Sequence, residues 1–163
     1  MMMEAIGEDV DIGKFWKTLG ERATGATLVT TDSAEGPKGF LGLSAAHVCA
    51  NPPTMLVSID KKTSALAGVL EKGHFAVNFL PAGTAEMANM FGGKGDKVFD
   101  PELWGTLATG APVLKTALGV FDCEVAQVVE HGDISIVIGT VKGVQAAGEG
   151  DPLIFFRGKF LSD

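Results

Sequence analysis

The chain has 163 residues, of which 46% are hydrophobic, and a formal net charge of −7 at pH 7. This composition is typical of one folded domain and excludes an intrinsically disordered chain. The acidic balance argues against general nucleic-acid binding, which needs a basic surface, but allows a local pocket for a small anion.

The first predicted element is a short helix over about residues 9–20. Ile12, Phe15, Trp16 and Leu19 recur at helical spacing, so we expect one apolar face that packs against the rest of the fold. The preceding residues lack a basic region followed by an apolar run, and no stretch reaches about 18 uninterrupted apolar residues. We therefore expect a cytoplasmic protein without a secretory signal or a membrane span.

A β-rich segment follows from about residue 25 and holds the first candidate site. Residues 26–31, Lys38–His47 and Thr54–Ile59 are predicted strands, and Asn51-Pro52-Pro53 interrupts the ladder because proline supplies no donor. Residues 42–46 are all small except Leu43, which would let a flat ligand approach the backbone closely.

A polar corner connects the last of these strands to the next predicted helix. Lys61, Lys62, Thr63 and Ser64 place two ammonium groups and two hydroxyls at the start of a helix that Gly73 ends. Cations and hydroxyls at a helix N-terminus are the groups that bind a phosphate. Ser64 or Thr63 is also the predicted N-cap.

The rest of the chain is mostly strand-like. Its predicted elements are a strand Phe75–Leu80, a helix Thr84–Phe91, a long loop 92–112, and strands Phe121–Glu130, Ile134–Val144, Leu153–Arg157 and Lys159–Leu161. Six or seven short strands that do not alternate with helices predict a mainly antiparallel barrel or sandwich, not a doubly wound parallel sheet.

Several motifs of known chemistry are absent. No GxGxxG and no GxxxxGK[ST] occurs, so no dinucleotide-binding fold and no phosphate loop is predicted. The three histidines show no metal-ligand spacing, and we expect no metal site. Cys49 and Cys123 lie far apart without a CxxC, which is typical of free, packed thiols.

Several segments, taken together in their order along the chain, resemble the flavin reductase-like family. They are GATLVTT, GFLGLSAAHVCANPPTMLVSIDKKTS, FAVNFL, MFGGKGDKVF, APVL, FDCEVAQVVEHGDISIVIGTV and PLIFFRGKF, from Gly25 to Phe160. The resemblance implies a mainly β fold, a Greek-key split β-barrel with a few short helices, as a single domain over residues 1–163. It also implies a homodimer that binds FMN or FAD and uses NADH or NADPH as co-substrate.

The resemblance further implies which residues contact the flavin. The turn from Leu41 to His47 would line the isoalloxazine ring, residues 60–64 would bind the phosphate side, and a loop at residues 91–93 would close over the flavin. The expected cofactor-binding residues are Leu41, Gly42, Leu43, Ser44, Ala45, Ala46, His47, Ser58, Asp60, Lys61, Lys62, Ser64, Phe91, Gly92 and Gly93.

Two departures from the family pattern bear on catalysis. Where the family often has Gly-Asp-His in its late turn, with the histidine near the nicotinamide, this chain has Gly132-Asp133-Ile134. His131 is close in sequence but is expected to project differently, because successive strand residues face opposite sides. In the first turn, where many members have Thr-Ala-Ser or Thr-Ala-Asn, this chain has Leu41-Gly42-Leu43. His47 and His131 are the candidate catalytic groups.

The expected function is therefore hydride transfer from NAD(P)H to FMN or FAD, with reduced flavin passed to a separate oxygenase component. The flavin would perform the redox chemistry, and the protein would supply placement. Two alternatives stay open: an FMN-binding carrier with little NAD(P)H turnover, and an oxidase of the pyridoxamine-phosphate type on the same barrel.

Overall fold

The computed structural model describes residues 9–161. Residues 1–8 lie outside this range, and the prediction that the chain has no secretory signal depends partly on them. Three helices are formed: α1 (Ile12–Leu19), α2 (Ala65–Lys72) and α3 (Ala85–Gly92). The strands are β1 (Thr24–Gly25), β2 (Thr27–Thr31), β3 (Lys38–Gly42), β4 (Ala46–Ala50), β5 (Pro53–Asp60), β6 (His74–Phe79), β7 (Trp104–Gly105), β8 (Val113–Leu114), β9 (Gly119–His131), β10 (Ile134–Ala146), β11 (Ile154–Phe156) and β12 (Lys159–Phe160).

Seven of these strands form one antiparallel sheet in the order β3-β2-β6-β9-β10-β5-β4. The edge strands β3 and β4 follow each other in the chain, yet no ladder joins them. The sheet curls into a barrel that stays open between these edges, which confirms the predicted split β-barrel. A smaller sheet of β1, β11 and β12 lies beside it.

The barrel interior follows from the period of two along each strand. In β5 the buried residues Met55, Val57 and Ile59 alternate with half-buried residues that face outward. The buried residues join Phe75, Val137 and others in one core cluster. A second cluster lies on the other side of β2, β6 and β9, under α3 and the segment from Trp104 to Ala117.

Most predicted elements are present, with shifted boundaries. The predicted strand Lys38–His47 is divided into β3 and β4 by residues 43–45, and the predicted loop 92–112 contains β7, which pairs with β8. Trp104 within that loop is buried against Phe91 and Phe99. This part of the loop therefore contributes to the core.

The apolar face of α1 does not pack as predicted. Phe15 and Trp16 are 53% and 62% exposed, and no residue of the helix is buried. The helix forms at the expected place because its spacing is helical and Asp11 caps it by accepting from the amide of Lys14. Within residues 9–161 its apolar face has no partner, so local periodicity predicted the helix but not its burial.

No helix within residues 9–161 is long and apolar enough to cross a membrane.

The two cysteines lie in very different environments. Both are free, Cys49 exposed on β4 and Cys123 buried in the barrel. Burial, and then the charge of Asp122, raise the pKa of the Cys123 thiol to about 12. We expect a thiol reagent at pH 8 to label one cysteine per folded chain and two after denaturation, because the thiolate is the reactive form. Equal labelling rates for both cysteines in the folded chain would contradict this prediction.

Candidate functional site

The turn predicted to line the flavin connects β3 and β4, the two edge strands of the seven-stranded sheet. The turn between β3 and β4 is attached to β5 by the hydroxyl of Ser44, which donates to the carbonyl of Ser58 at 3.3 Å. The end of β3 also meets α3, since a Cβ added at Gly92 would lie 3.2 Å from Cδ2 of Leu41. The turn therefore contacts β5, and the end of β3 contacts the end of α3.

Gly42 serves the core and does not simply leave room for a ligand. It is buried, its carbonyl accepts from the hydroxyl of Thr27, and a Cβ added at Gly42 would lie 2.8 Å from Cγ2 of Val29. The core packing alone therefore accounts for a glycine at position 42, and its contact with a ligand stays a prediction. Ser44 and Ala46 are exposed and remain available to a ligand.

The loop predicted to close over the flavin is largely helical. Phe91 and Gly92 form the last turn of α3, and Phe91 is buried against Phe99. We correct the expectation for Phe91, because a side chain 1% exposed and packed in the core is not placed to contact a ligand in a loop. Gly92 and Gly93 are exposed at the end of the helix.

In the polar corner before α2, some polar groups form hydrogen bonds within the protein and others do not. Asp60 accepts a hydrogen bond from the amide of Lys62 at 2.8 Å, and the ammonium of Lys61 donates to the carbonyl of Gly132 at 3.1 Å. Within residues 9–161, the ammonium of Lys62 and the hydroxyl of Ser64 have no protein partner. The predicted side-chain cap of α2 is absent, so the Ser64 hydroxyl stays free.

Lys61 fastens this corner to the β9–β10 hairpin. Its ammonium lies 3.2 Å from a carboxylate oxygen of Glu130, and its amide donates to the carbonyl of Asp133 at 3.0 Å. The hydroxyl of Ser135 is 3.0 Å from each Glu130 oxygen. Lys61 is therefore engaged with the hairpin, which leaves Lys62 as the free cation of the corner.

The hairpin contact is expected to depend on pH. The hydrogen bond from Lys61, and then that from Ser135, hold the pKa of the Glu130 carboxyl below its ordinary value of 4.5. A lowered pKa means that the contact contributes stability above pH 4.5 and loses it as the pH falls through the lowered value. Carbon NMR titration should place the Glu130 midpoint below 4.5, and Lys61→Met should raise it. An unchanged midpoint in the variant would show that Lys61 does not cause the shift.

The register of the hairpin corrects the expectation for His131. His131 pairs directly with Ile134 across the ladder, so the two side chains emerge on the same face. Counting along one strand suggested opposite faces, but the chain reverses between the two residues. Ile134 is in turn paired with Asp60. His131 is exposed and lies one strand further from the corner than Ile134, whereas His47 is exposed on β4, opposite Met55.

Sequence reasoning did not identify Glu130 and Ser135 as part of this region. They are a cross-strand pair far along the chain from Lys61, and no local motif signals the contact. Among residues 9–161 there is no group of three or more His, Cys, Asp or Glu side chains that could hold a metal ion.

Comparisons with known proteins agree with this architecture. A family model described as "Flavin reductase like domain" matches residues 19–162. An FMN reductase (NADH) RutF from Ancylobacter novellus is 37% identical over 136 residues, covering 82% of this chain and 75% of that protein. The solved structure of flavin reductase PheA2 in its native state has a TM-score of 0.86 and 32% identity, covering 94% of this chain and 99% of the other. BorF, the flavin reductase component of a bacterial two-component tryptophan halogenase, has a TM-score of 0.84 and 28% identity over 94% and 99% of the two chains.

Proposed function

This chain belongs to the flavin reductase-like family and is a flavin reductase, and on that premise we propose that it transfers hydride from NADH to FMN. FAD is the second flavin to test. The observation that carries the proposal is the pair of free polar side chains before α2, Lys62 and Ser64, which follow the strand β5 to which Ser44 of the turn donates. An ammonium and a hydroxyl at a helix start suit the phosphate of a flavin nucleotide.

We propose that the phosphate is held by Lys62 and Ser64 and the ring by the backbone from Leu43 to His47. The bound flavin would supply the hydride-accepting chemistry. Peptide N–H groups in the turn would stabilise negative charge on the ring, because fixed dipoles need no reorganisation during the reaction. Lys61 and Glu130 would act indirectly, by holding the hairpin against the corner.

We propose His131 as the residue nearest to the role of the family histidine. The support is its register opposite Ile134, which puts its imidazole on the face that Ile134 occupies. His131→Gln should then raise the KM for NADH more than the KM for flavin. His47→Gln is the comparison variant, since His47 lies on β4 and not on the hairpin.

We propose that the protein forms a homodimer in which a second copy covers α1. Phe15 and Trp16 expose large apolar surfaces on one face of the helix, and nothing within residues 9–161 covers that face. Sedimentation equilibrium should give twice the chain mass, and Phe15→Glu with Trp16→Glu should shift the equilibrium toward the monomer. A monomer at every concentration tested would refute the proposal.

We also propose that reduced flavin leaves this protein for a separate oxygenase component. BorF is by its description the reductase component of a two-component halogenase, and it shares this fold over nearly the whole chain. Reduced flavin can serve such a separate component only after it has left the reductase.

One kinetic experiment tests the function. Purified protein is mixed with FMN or FAD and with NADH or NADPH, and the loss of the reduced-nicotinamide absorbance band is followed. Rapid, flavin-dependent NADH oxidation is the expected result. A protein that binds FMN but leaves both nicotinamides unoxidised would be a carrier instead, and release of product from a phosphorylated amine would indicate the oxidase alternative.

A further inference from the structure

Two neighbouring lysines begin the polar corner, and a carboxylate engages only one of them. The ammonium of Lys61 lies 3.2 Å from Oε2 of Glu130 and donates to the carbonyl of Gly132, whereas the ammonium of Lys62 has no partner within residues 9–161. Consecutive Cα atoms are about 3.8 Å apart, and a lysine ammonium ends a flexible four-carbon stem. An anion bound by Lys62 is therefore also within the range of Lys61, once Glu130 releases it.

Glu130 is not a freely moving surface charge. It is paired with Ser135 across the β9–β10 ladder, and the Ser135 hydroxyl lies 3.0 Å from each of its carboxylate oxygens. Ser135 is only 1% exposed, so the sheet fixes the hydroxyl that contacts the carboxylate. The hairpin thus holds the Glu130 carboxylate where it meets the Lys61 ammonium.

The charges of the corner and of the hairpin turn do not favour tight binding of an anion. Residues 60–62 and 130–133 carry three carboxylates, on Asp60, Glu130 and Asp133, but only the two ammonium groups of Lys61 and Lys62. A local excess of negative charge opposes a phosphate. Within residues 9–161, Glu130 is the one of these carboxylates that forms an ion pair. It therefore both adds negative charge and occupies a cation.

We propose that Glu130 competes with the flavin phosphate for the Lys61 ammonium and thereby keeps flavin binding weak. The inference rests on the proposed function, in which the phosphate lies at Lys62 and Ser64. Weaker binding within one site mostly means faster dissociation, so Glu130 favours the departure of reduced flavin toward a separate component. Glu130 is a positioning residue, because it acts through Lys61 and does not touch the flavin.

A purely structural role of Glu130 predicts a different result for the same substitution. Glu130→Gln keeps a side-chain carbonyl oxygen that can accept from Ser135 and from Lys61, but it removes the negative charge. If Glu130 only holds the hairpin against the corner, flavin affinity should stay the same or fall. If Glu130 competes with the phosphate, flavin affinity should rise.

The experiment measures the dissociation constants of FMN and riboflavin for the full chain by quenching of flavin fluorescence. Glu130→Gln should lower the FMN constant about two- to fivefold, the range expected for one exposed ion pair, and should leave the riboflavin constant unchanged. Glu149→Gln is the matched control, since Glu149 is exposed and lies beyond the opposite end of the 13-residue strand β10. An unchanged or higher FMN constant in Glu130→Gln, or an equal gain for riboflavin, overturns the proposal.

A double variant tests whether the effect passes through Lys61. In a Lys61→Met background, Glu130→Gln should improve FMN binding by less than half of the factor seen in the wild type, and the full gain in that background would contradict the competition. Equal wild-type affinities for FMN and riboflavin would overturn the proposed phosphate site and this inference together. A preference for FMN that Glu130→Gln does not increase overturns this inference alone.

Discussion

Lys62→Glu is expected to weaken flavin binding by about 10- to 100-fold, which corresponds to roughly 1.4–2.8 kcal/mol. The change removes the one free ammonium of the corner and places a carboxylate beside the proposed phosphate position. Lys62 is exposed and its side chain has no partner within residues 9–161, so the fold should not suffer. Fluorescence quenching of FMN gives the dissociation constant, and circular dichroism verifies the fold.

Two controls make the result specific to the corner. Lys115→Glu makes the same charge change at an exposed position elsewhere and should leave flavin affinity within about twofold, because exposed charges at a distance are screened by salt. Riboflavin, which lacks the phosphate, should bind the wild type and Lys62→Glu nearly equally. An equal loss of FMN and riboflavin binding would show that Lys62 does not act on the phosphate.

Asp122→Ala is expected to lower the free energy of unfolding by about 3–5 kcal/mol, because removing the buried carboxylate would leave its hydrogen-bond donors unpaired. Asp122 is fully buried and accepts from the amides of Ala108 and Thr109, each at 2.8 Å, and from the Thr109 hydroxyl. These bonds hold the loop before β8 against the sheet. Urea denaturation followed by circular dichroism measures the loss.

Asp122→Asn is the matched control. It keeps a carbonyl oxygen that can accept from the two amides, so we expect less than half of the loss caused by alanine. The slope of unfolding free energy against urea should be the same in both variants if only stability has changed. Equal destabilisation by asparagine and alanine would mean that charge, and not hydrogen bonding, is the main contribution of Asp122.

Other polar residues support the same segment, which explains why its amino-acid pattern looked irregular. The side-chain amide of Asn78 accepts from the amide of Leu114 at 2.9 Å, and the hydroxyl of Thr30 donates to the carbonyl of Pro112 at 2.6 Å. Asn78 and Thr30 are both fully buried. A segment held by side chains from distant strands needs no helical or strand period of its own.

Local sequence patterns predicted the elements that depend on local physics. Helix α2 ends at Gly73 with φ 73°, a conformation that favours glycine, and the hairpin turns at Gly132 with φ 58°. The predicted strand Thr54–Ile59 lies within β5, whose buried residues alternate with half-buried ones, because a period of two is a property of any strand. These features, together with the ordered family motifs, were sufficient to predict the split barrel.

Contacts between distant parts of the chain determine which of two neighbouring side chains is paired within the protein and which is free. Lys61 and Lys62 are the same residue type, but the ammonium of Lys61 binds Glu130 and Gly132, whereas that of Lys62 is free. His131 shares a face with Ile134 because of the hairpin register, and Phe91 is buried because Phe99 and Trp104 fold back onto it. Short-range periodicity determines the helices and strands, whereas the packing of strands remote in sequence determines which side chains remain available for a ligand.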